Sequence, residues 1–195
     1  MKGNIQTGKK LAVFDLDGTL FDTKDVNYTA YSQALAECGV KCEIDYRFYC
    51  NFCNGNSYRV FLPLLVPGIT ESGIQKVHEA KMRIYKDCLE HAWKNNHLFS
   101  MIKLMKEEYL IAVATTASRV NTEDILNCFS VKEMFDFIIT REDVVNAKPA
   151  PDCFVKAMSM AGVSSEDTII FEDSETGLAA AAASGAKYVK VYGYN

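Results

Sequence analysis

With 195 residues, 49% of them hydrophobic and 24% charged, the chain has the make-up of an ordinary soluble protein with one core, or one core and a modest insertion. A formal net charge of −4 gives no overall attraction to nucleic acid or to an anionic membrane, so neither is expected as a partner. An anionic substrate would have to be held by local cations or by a metal.

The stretch Met1–Lys10 is polar and basic, and the apolar run after it is too short for a signal peptide or a membrane span. A cytoplasmic protein is expected. That run, Leu11-Ala12-Val13-Phe14, reads as a buried strand that stops where Asp15-Leu16-Asp17-Gly18 begins. Side chains two apart on a strand share a side, so Asp15 and Asp17 converge if the extended geometry persists. Converging carboxylates repel and call for a cation or a shared proton. An EF-hand loop needs Gly at its sixth position, and Gly18 comes too early for that alternative.

Thr23 to Gly39 carries a helical pattern, with Thr23 suited to cap it and Gly39 to stop it. From Lys41 to His97 no strong strand is visible, and helices are predicted near 43–53, 56–65 and 71–94, with Pro63, Pro67 and Gly68 breaking the middle. The block reads as a helical subdomain inserted after the first strand, with short hinges near 22–25 and 94–98. Inside it, Asn54-Gly55-Asn56-Ser57-Tyr58-Arg59 is a polar turn before a helix, either a specificity loop or an ordinary interhelical connection. Seven scattered cysteines, an odd number, point to reduced thiols rather than a disulfide framework. Cys50 and Cys53 have zinc-knuckle spacing, but Cys38 sits in a helix and Cys50 among aromatics, where small buried thiols are common.

From Leu98 onward strands and helices alternate. Tyr109–Ala114 is a near-continuous apolar strand ending at Thr115-Thr116, Thr122–Phe129 is helical, and Phe135–Ile139 is a strand. Pro151 opens a helix through Ala161, Thr168–Phe171 is a strand followed by Glu172-Asp173, Ser174–Ser184 is an Ala-rich helix, and Tyr188–Val191 is the last strand. This alternation means an α/β fold with a parallel, doubly wound sheet, in which ligands bind beyond the carboxyl ends of the strands. Asp15, Asp17, Thr115, Thr116, Glu172 and Asp173 all fall there, and Lys148 lies in the loop Ala147-Lys148-Pro149-Ala150-Pro151-Asp152. Taken singly, Thr115-Thr116 can be a strand end, Lys148 a solvated loop lysine and Glu172-Asp173 ordinary helix-start charge. Taken together they describe one crevice of carboxylates, a hydroxyl and an ammonium, and Mg²⁺ prefers such an all-oxygen shell.

These residues resemble the four ordered motifs of the haloacid dehalogenase superfamily, over about Lys10 to Val191, and look closest to its phosphatase and β-phosphoglucomutase-like branch. The resemblance implies a Rossmann-like core of residues 1–23 and 95–195 with an inserted helical cap of residues 24–94. It implies a Mg²⁺-dependent phosphatase acting on a small phosphomonoester, of the sugar phosphate, phosphoglycolate or nucleotide kind; a monomer is expected. Carried over, Asp15 is the nucleophile that forms an aspartyl-phosphate, and Asp17 is the general acid and base. Asp15, the backbone carbonyl of Asp17, Glu172 and Asp173 are the metal ligands, while Thr115, Thr116 and Lys148 hold the phosphoryl group. Asn54, Gly55 and Arg59 are candidates for substrate selection in the cap. Mutase-like members carry a cap His where this chain has Asn27, and a cap Arg where it has Tyr58, so hydrolysis is the preferred reading. Loss of a core motif residue would favour the third reading, a non-catalytic binding module with this fold, and none is lost. Asn95-Asn96-His97 replaces the usual Pro-Gly before the next helix, so an atypical second hinge is expected.

Overall fold

The computed structural model describes residues 8–193, so the reading of Met1–Lys10 lies largely outside the described residues. The chain divides into two compact units, Met1–Asp22 with Lys94–Asn195, and Thr23–Trp93. In chain order the strands are β1 (Lys10–Phe14), β2 (Phe21–Asp22), β3 (Trp93–Lys94), β4 (Tyr109–Ala114), β5 (Phe137–Ile139), β6 (Thr168–Glu172) and β7 (Lys187–Lys190). Five of them form one sheet in the order β5-β4-β1-β6-β7, and every pairing in it is parallel. Helices Asn96–Met105, Arg119–Cys128, Asp152–Ala161 and Glu175–Ala183 connect these strands.

A strand covered on both faces has no polar side, which is why β1 reads as an unbroken apolar run and Leu11 to Phe14 are fully buried. Phe14 lies opposite Val113 and Phe171, and its ring stacks on that of Phe171 at 4.5 Å. The sheet grows outward from β1 in both directions. The carboxyl ends of β4, β1 and β6 therefore flank a topological switch point, where a crevice opens. Some expected boundaries move. Lys132–Met134 form a 3₁₀ turn, so β5 begins at Phe137 instead of Phe135, and the last strand spans Lys187–Lys190 as an exposed edge.

The second unit is helical, with helices Lys24–Glu37, Tyr58–Leu65 and Glu71–Ile84 packed around Tyr31, Leu35, Tyr49, Phe61, Leu62 and Val77. Tyr46–Phe48 and the π-turn Tyr49–Cys53 fill the predicted 43–53 region. The α-helix predicted for 71–94 ends at Ile84 and continues as a 3₁₀ helix, Tyr85–His91. Buried Tyr85 and Cys88 share one side of that tighter spiral. Thr23 stands at the cap position of its helix but makes no side-chain capping bond; instead the Asn27 side-chain amide donates to the Thr23 carbonyl at 3.0 Å and to its Oγ1 at 3.3 Å. Gly39 stops the helix at φ +71.

The sequence offers no sign of the pairing between β2 and β3, which brings the two ends of the insertion together. Asn95 completes the junction. Its backbone N–H donates to the Leu20 carbonyl at 2.9 Å, its side-chain amide to the Thr19 carbonyl at 3.2 Å, and its Oδ1 accepts from Leu98 N–H at 3.1 Å. One buried side chain thus caps a helix and holds the turn that follows the first acids. Among the described residues no helix is long and apolar enough to cross a membrane.

Candidate active site

Asp15 is the first residue past β1, and its N–H donates to the Phe171 carbonyl at 3.0 Å, which extends the sheet by one bond and keeps its side chain buried at the strand end. The chain then turns tightly: Gly18 at φ +89 donates to the Phe21 carbonyl at 2.7 Å, and Leu20 and Phe21 both return to the Leu16 carbonyl at 3.0 Å. Across from this turn, β6 ends in Glu172 and passes into Asp173 and the cap residue Ser174. Carboxylate oxygens of Asp15, Glu172 and Asp173 lie within 4.8 Å of one another. Asp17 is not among these three carboxylates; it sits in the turn, bridged to Phe21.

Lys148 reaches this cluster from its loop. Its ammonium donates to Asp15 Oδ1 at 2.5 Å, to Glu172 Oε2 at 2.7 Å and to the Ala114 carbonyl at 3.2 Å. All three of its protons are thereby used, one at the end of each of three neighbouring strands. The loop that delivers it is itself tied down. Asp143 accepts from Thr140 N–H at 2.8 Å and Thr140 Oγ1 at 3.0 Å and pairs with Arg119, while Asn146 N–H donates to Asp152 Oδ2 at 3.0 Å. Thr115 is buried at the end of β4, where its Oγ1 accepts from Ala117 N–H at 3.0 Å and so keeps its own proton for another acceptor; Thr116 beside it is exposed.

Three carboxylates share one ammonium, and the imbalance has consequences. Burial, then the charge of Glu172, hold the Asp15 carboxyl well above the ordinary carboxylate range despite the nearby Lys148. Burial, again followed by Glu172, pushes Asp173 up to about 6. Burial alone would lower Lys148, but Asp15 and Glu172 hold it above its ordinary value, so the ammonium stays charged. The cluster therefore retains a proton at a pH where an isolated Asp has lost it. An all-oxygen set short of positive charge fits a hard divalent cation such as Mg²⁺. Gly18 fits the same picture, since a Cβ there would stand 2.2 Å from Asp173 Oδ2, and the turn can lie against that carboxylate only without a side chain.

A sequence model of the haloacid dehalogenase-like hydrolases matches residues 12–191. The chain belongs to the haloacid dehalogenase-like hydrolases. It is 28% identical over 190 residues to the protein CbbY of Rhodobacter capsulatus, covering 92% of this chain and 84% of that one. It is 26% identical over 187 residues to the phosphorylated carbohydrates phosphatase of Thermotoga maritima, covering 93% and 83%. The crystal structure of CbbY from Rhodobacter sphaeroides in complex with phosphate superposes with a TM-score of 0.84 at 25% identity, covering 95% of this chain and 87% of that one. The parallel sheet with its flanking helices is thus the fold of a haloacid dehalogenase-like hydrolase.

Of the residues singled out in the sequence, Asp15, Lys148, Glu172 and Asp173 converge directly, and Thr115 ends the strand whose Ala114 carbonyl holds Lys148. Asn54, Gly55 and Arg59 belong to the second unit, where Gly55 turns at φ +78 and Arg59 pairs with Glu71. Sequence reading missed Thr19, whose buried hydroxyl donates to Asp173 Oδ1 at 3.0 Å, and the roles of Ser174, Gly177, Asp143 and Asn95. Two of these left a trace, Gly177 as a glycine in an otherwise Ala-rich helix and Asn95 in the unusual hinge Asn95-Asn96-His97.

Proposed function

We propose that the protein is a Mg²⁺-dependent phosphatase that hydrolyses a small phosphomonoester through an aspartyl-phosphate on Asp15. The observation that carries this reading is Asp15 itself, a buried carboxylate at the end of the central strand with Oδ1 held by Lys148 and Oδ2 left for attack. Asp15, Asp173 and the backbone carbonyl of Asp17 would hold the cation. When bound, Mg²⁺ supplies the positive charge that favours ionised Asp15 and offsets its repulsion from the phosphate.

The residues then divide the work. Asp15 Oδ2 forms a bond to phosphorus as the bond from phosphorus to the leaving oxygen breaks, and Asp17 gives its proton to that oxygen. Asp17 next takes a proton from water, whose oxygen attacks phosphorus and releases Asp15 and inorganic phosphate. Thr115 Oγ1 and the Thr116 N–H donate to the phosphoryl oxygens, and Lys148 balances charge on Asp15 and the phosphate. The Thr23–Trp93 unit acts as a cap that selects the substrate, with the Asn54–Gly55 turn and Arg59 as the selecting residues. The names of two relatives, a phosphorylated carbohydrates phosphatase and a fructose-1-phosphate phosphatase, support a phosphorylated carbohydrate as substrate. Asn27 argues against the mutase alternative, because its side-chain amide is committed to Thr23 and cannot take up a proton at neutral pH.

A panel of sugar phosphates, phosphoglycolate and nucleotides assayed for phosphate release tests the reading. Turnover should need Mg²⁺, vanish with EDTA, and fall below about 10⁻⁴ of wild type in Asp15→Asn. Turnover that survives Asp15→Asn would refute the mechanism, and isomerised sugar phosphate without free phosphate would replace it with the mutase.

A further inference from the structure

Glu172 differs from the other two acids of the cluster, because hydrogen bonds engage both of its oxygens. Oε1 accepts from Ser174 Oγ at 2.8 Å, Ser174 N–H at 3.1 Å and Asp173 N–H at 3.2 Å. Oε2 accepts from Lys148 at 2.7 Å. The Glu172 side chain is only 1% exposed. It lies against the first turn of helix Glu175–Ala183, where Ser174 Oγ also accepts from Gly177 N–H at 3.0 Å. Gly177 does not have the left-handed backbone that would require glycine, and alanine is the better helix former. Its missing side chain has another cause: a Cβ at Gly177 would stand 2.0 Å from Glu172 Cδ and 2.2 Å from each carboxylate oxygen. Asp173, by contrast, carries one side-chain bond, from Thr19.

We propose that Glu172 is an internal anchor for Lys148 instead of a metal ligand, and that Ser174 and Gly177 are positioning residues that build its seat. The seat holds Oε1 against the start of the helix, which leaves Oε2 aimed at the ammonium. Lys148 is then fixed from β6 as well as from β1 and β4, and one of its three protons is always turned to Asp15. The metal-facing duty falls to Asp15 and Asp173. This inference rests on the phosphatase reading for the work Lys148 does, but the seat itself can be tested without turnover.

Purified full-length wild type, Glu172→Gln, Gly177→Ala and Asp173→Asn are titrated with Mg²⁺ by calorimetry and assayed with p-nitrophenyl phosphate. Glu172→Gln and Gly177→Ala should keep Mg²⁺ affinity within about threefold of wild type while kcat falls about tenfold or more. Asp173→Asn should show no Mg²⁺ isotherm. Ser174→Ala should lose kcat as well, and Ser174→Thr, which keeps the hydroxyl, should restore it. Loss of Mg²⁺ binding in Glu172→Gln equal to that in Asp173→Asn would overturn the anchor, as would wild-type kcat in Gly177→Ala. Melting temperatures give a second test that needs neither metal nor activity. Gly177→Ala should lower the melting temperature of the wild type and raise that of Glu172→Ala, where the seat is vacated and helix propensity alone remains. Equal shifts in both backgrounds would overturn the seat. Absence of any Mg²⁺ isotherm in wild type would instead refute the metal-dependent reading, with the melting cycle still deciding the seat.

Discussion

The charge shortage around Asp173 predicts an unusual pH dependence for the metal-free protein. Burial and then Glu172 raise its carboxyl from an ordinary 3.8 to about 6. A folded value above the unfolded one means that folding favours the protonated acid. The resulting stabilisation is complete below about pH 4 and is lost as pH rises through about 6. That gap in pKa corresponds to about 3 kcal/mol, which solvent screening of the partly exposed side chain reduces to about 1–2 kcal/mol. Burial shifts Asp15 in the same direction, whereas it lowers His78 to about 4 and so adds stability with rising pH over the same range; the share of Asp173 is therefore the pH dependence by which wild type and Asp173→Asn differ in EDTA. Asp173→Asn should flatten this dependence by about 1–2 kcal/mol, or roughly 2–8 °C in melting temperature. Urea or thermal unfolding of both proteins in EDTA, at half-unit steps of pH, measures the difference. With saturating Mg²⁺ the order should reverse above pH 6, because the cation binds the ionised acid; about 100-fold over Kd it adds about 2.7 kcal/mol to wild type and little to the variant. Parallel curves for wild type and Asp173→Asn in EDTA would refute the reasoning.

Other positions carry sharper single outcomes. Thr115→Val removes a hydroxyl at the proposed phosphoryl site and the acceptor for Ala117 N–H, and kcat should fall about 10²–10³-fold with a smaller change in KM. Gly18→Ala forces a side chain onto Asp173 at a backbone angle that disfavours one, so the Mg²⁺ concentration for half-maximal activity should rise at least about tenfold. Asn95→Ala deletes the bonds to Thr19 and Leu98, and should cost about 1–2 kcal/mol in urea unfolding.

The central strands were readable because they are buried on both faces, and apolar runs such as Tyr109–Ala114 mark themselves without ambiguity, whereas the exposed edge strand Lys187–Lys190 lay one residue from where the sequence placed it. The order of the acids along the chain was equally plain, since Asp15 and Glu172 each follow such a run. Side-chain geometry was not. Nothing in the order of residues announces that Lys148 spends all three protons on three strands, or that Glu172 turns back onto its own helix start, because both are decided by packing between segments far apart in the chain. The same limit hid the break at Ile84: Tyr85, Cys88 and Leu89 suit an α-helix as well as the 3₁₀ turn that forms. At the second hinge the unusual Asn95-Asn96-His97 was visible, but not that one amide there would replace a turn-forming pair.

The β2–β3 pairing has a bearing on how such proteins diversify. Paired strands hold their chains about 5 Å apart, so the long excursion from Thr23 to Trp93 leaves and re-enters the sheet-bearing unit at nearly one point. A short loop could bridge that gap as well as a long one, with little change in closure entropy. Insertions at this junction can therefore be lengthened, shortened or exchanged between descendants without disturbing the strand ends that hold Asp15, Lys148 and Asp173. On the proposed reading, new substrates can be acquired at one address while the residues assigned to bond breaking are inherited intact.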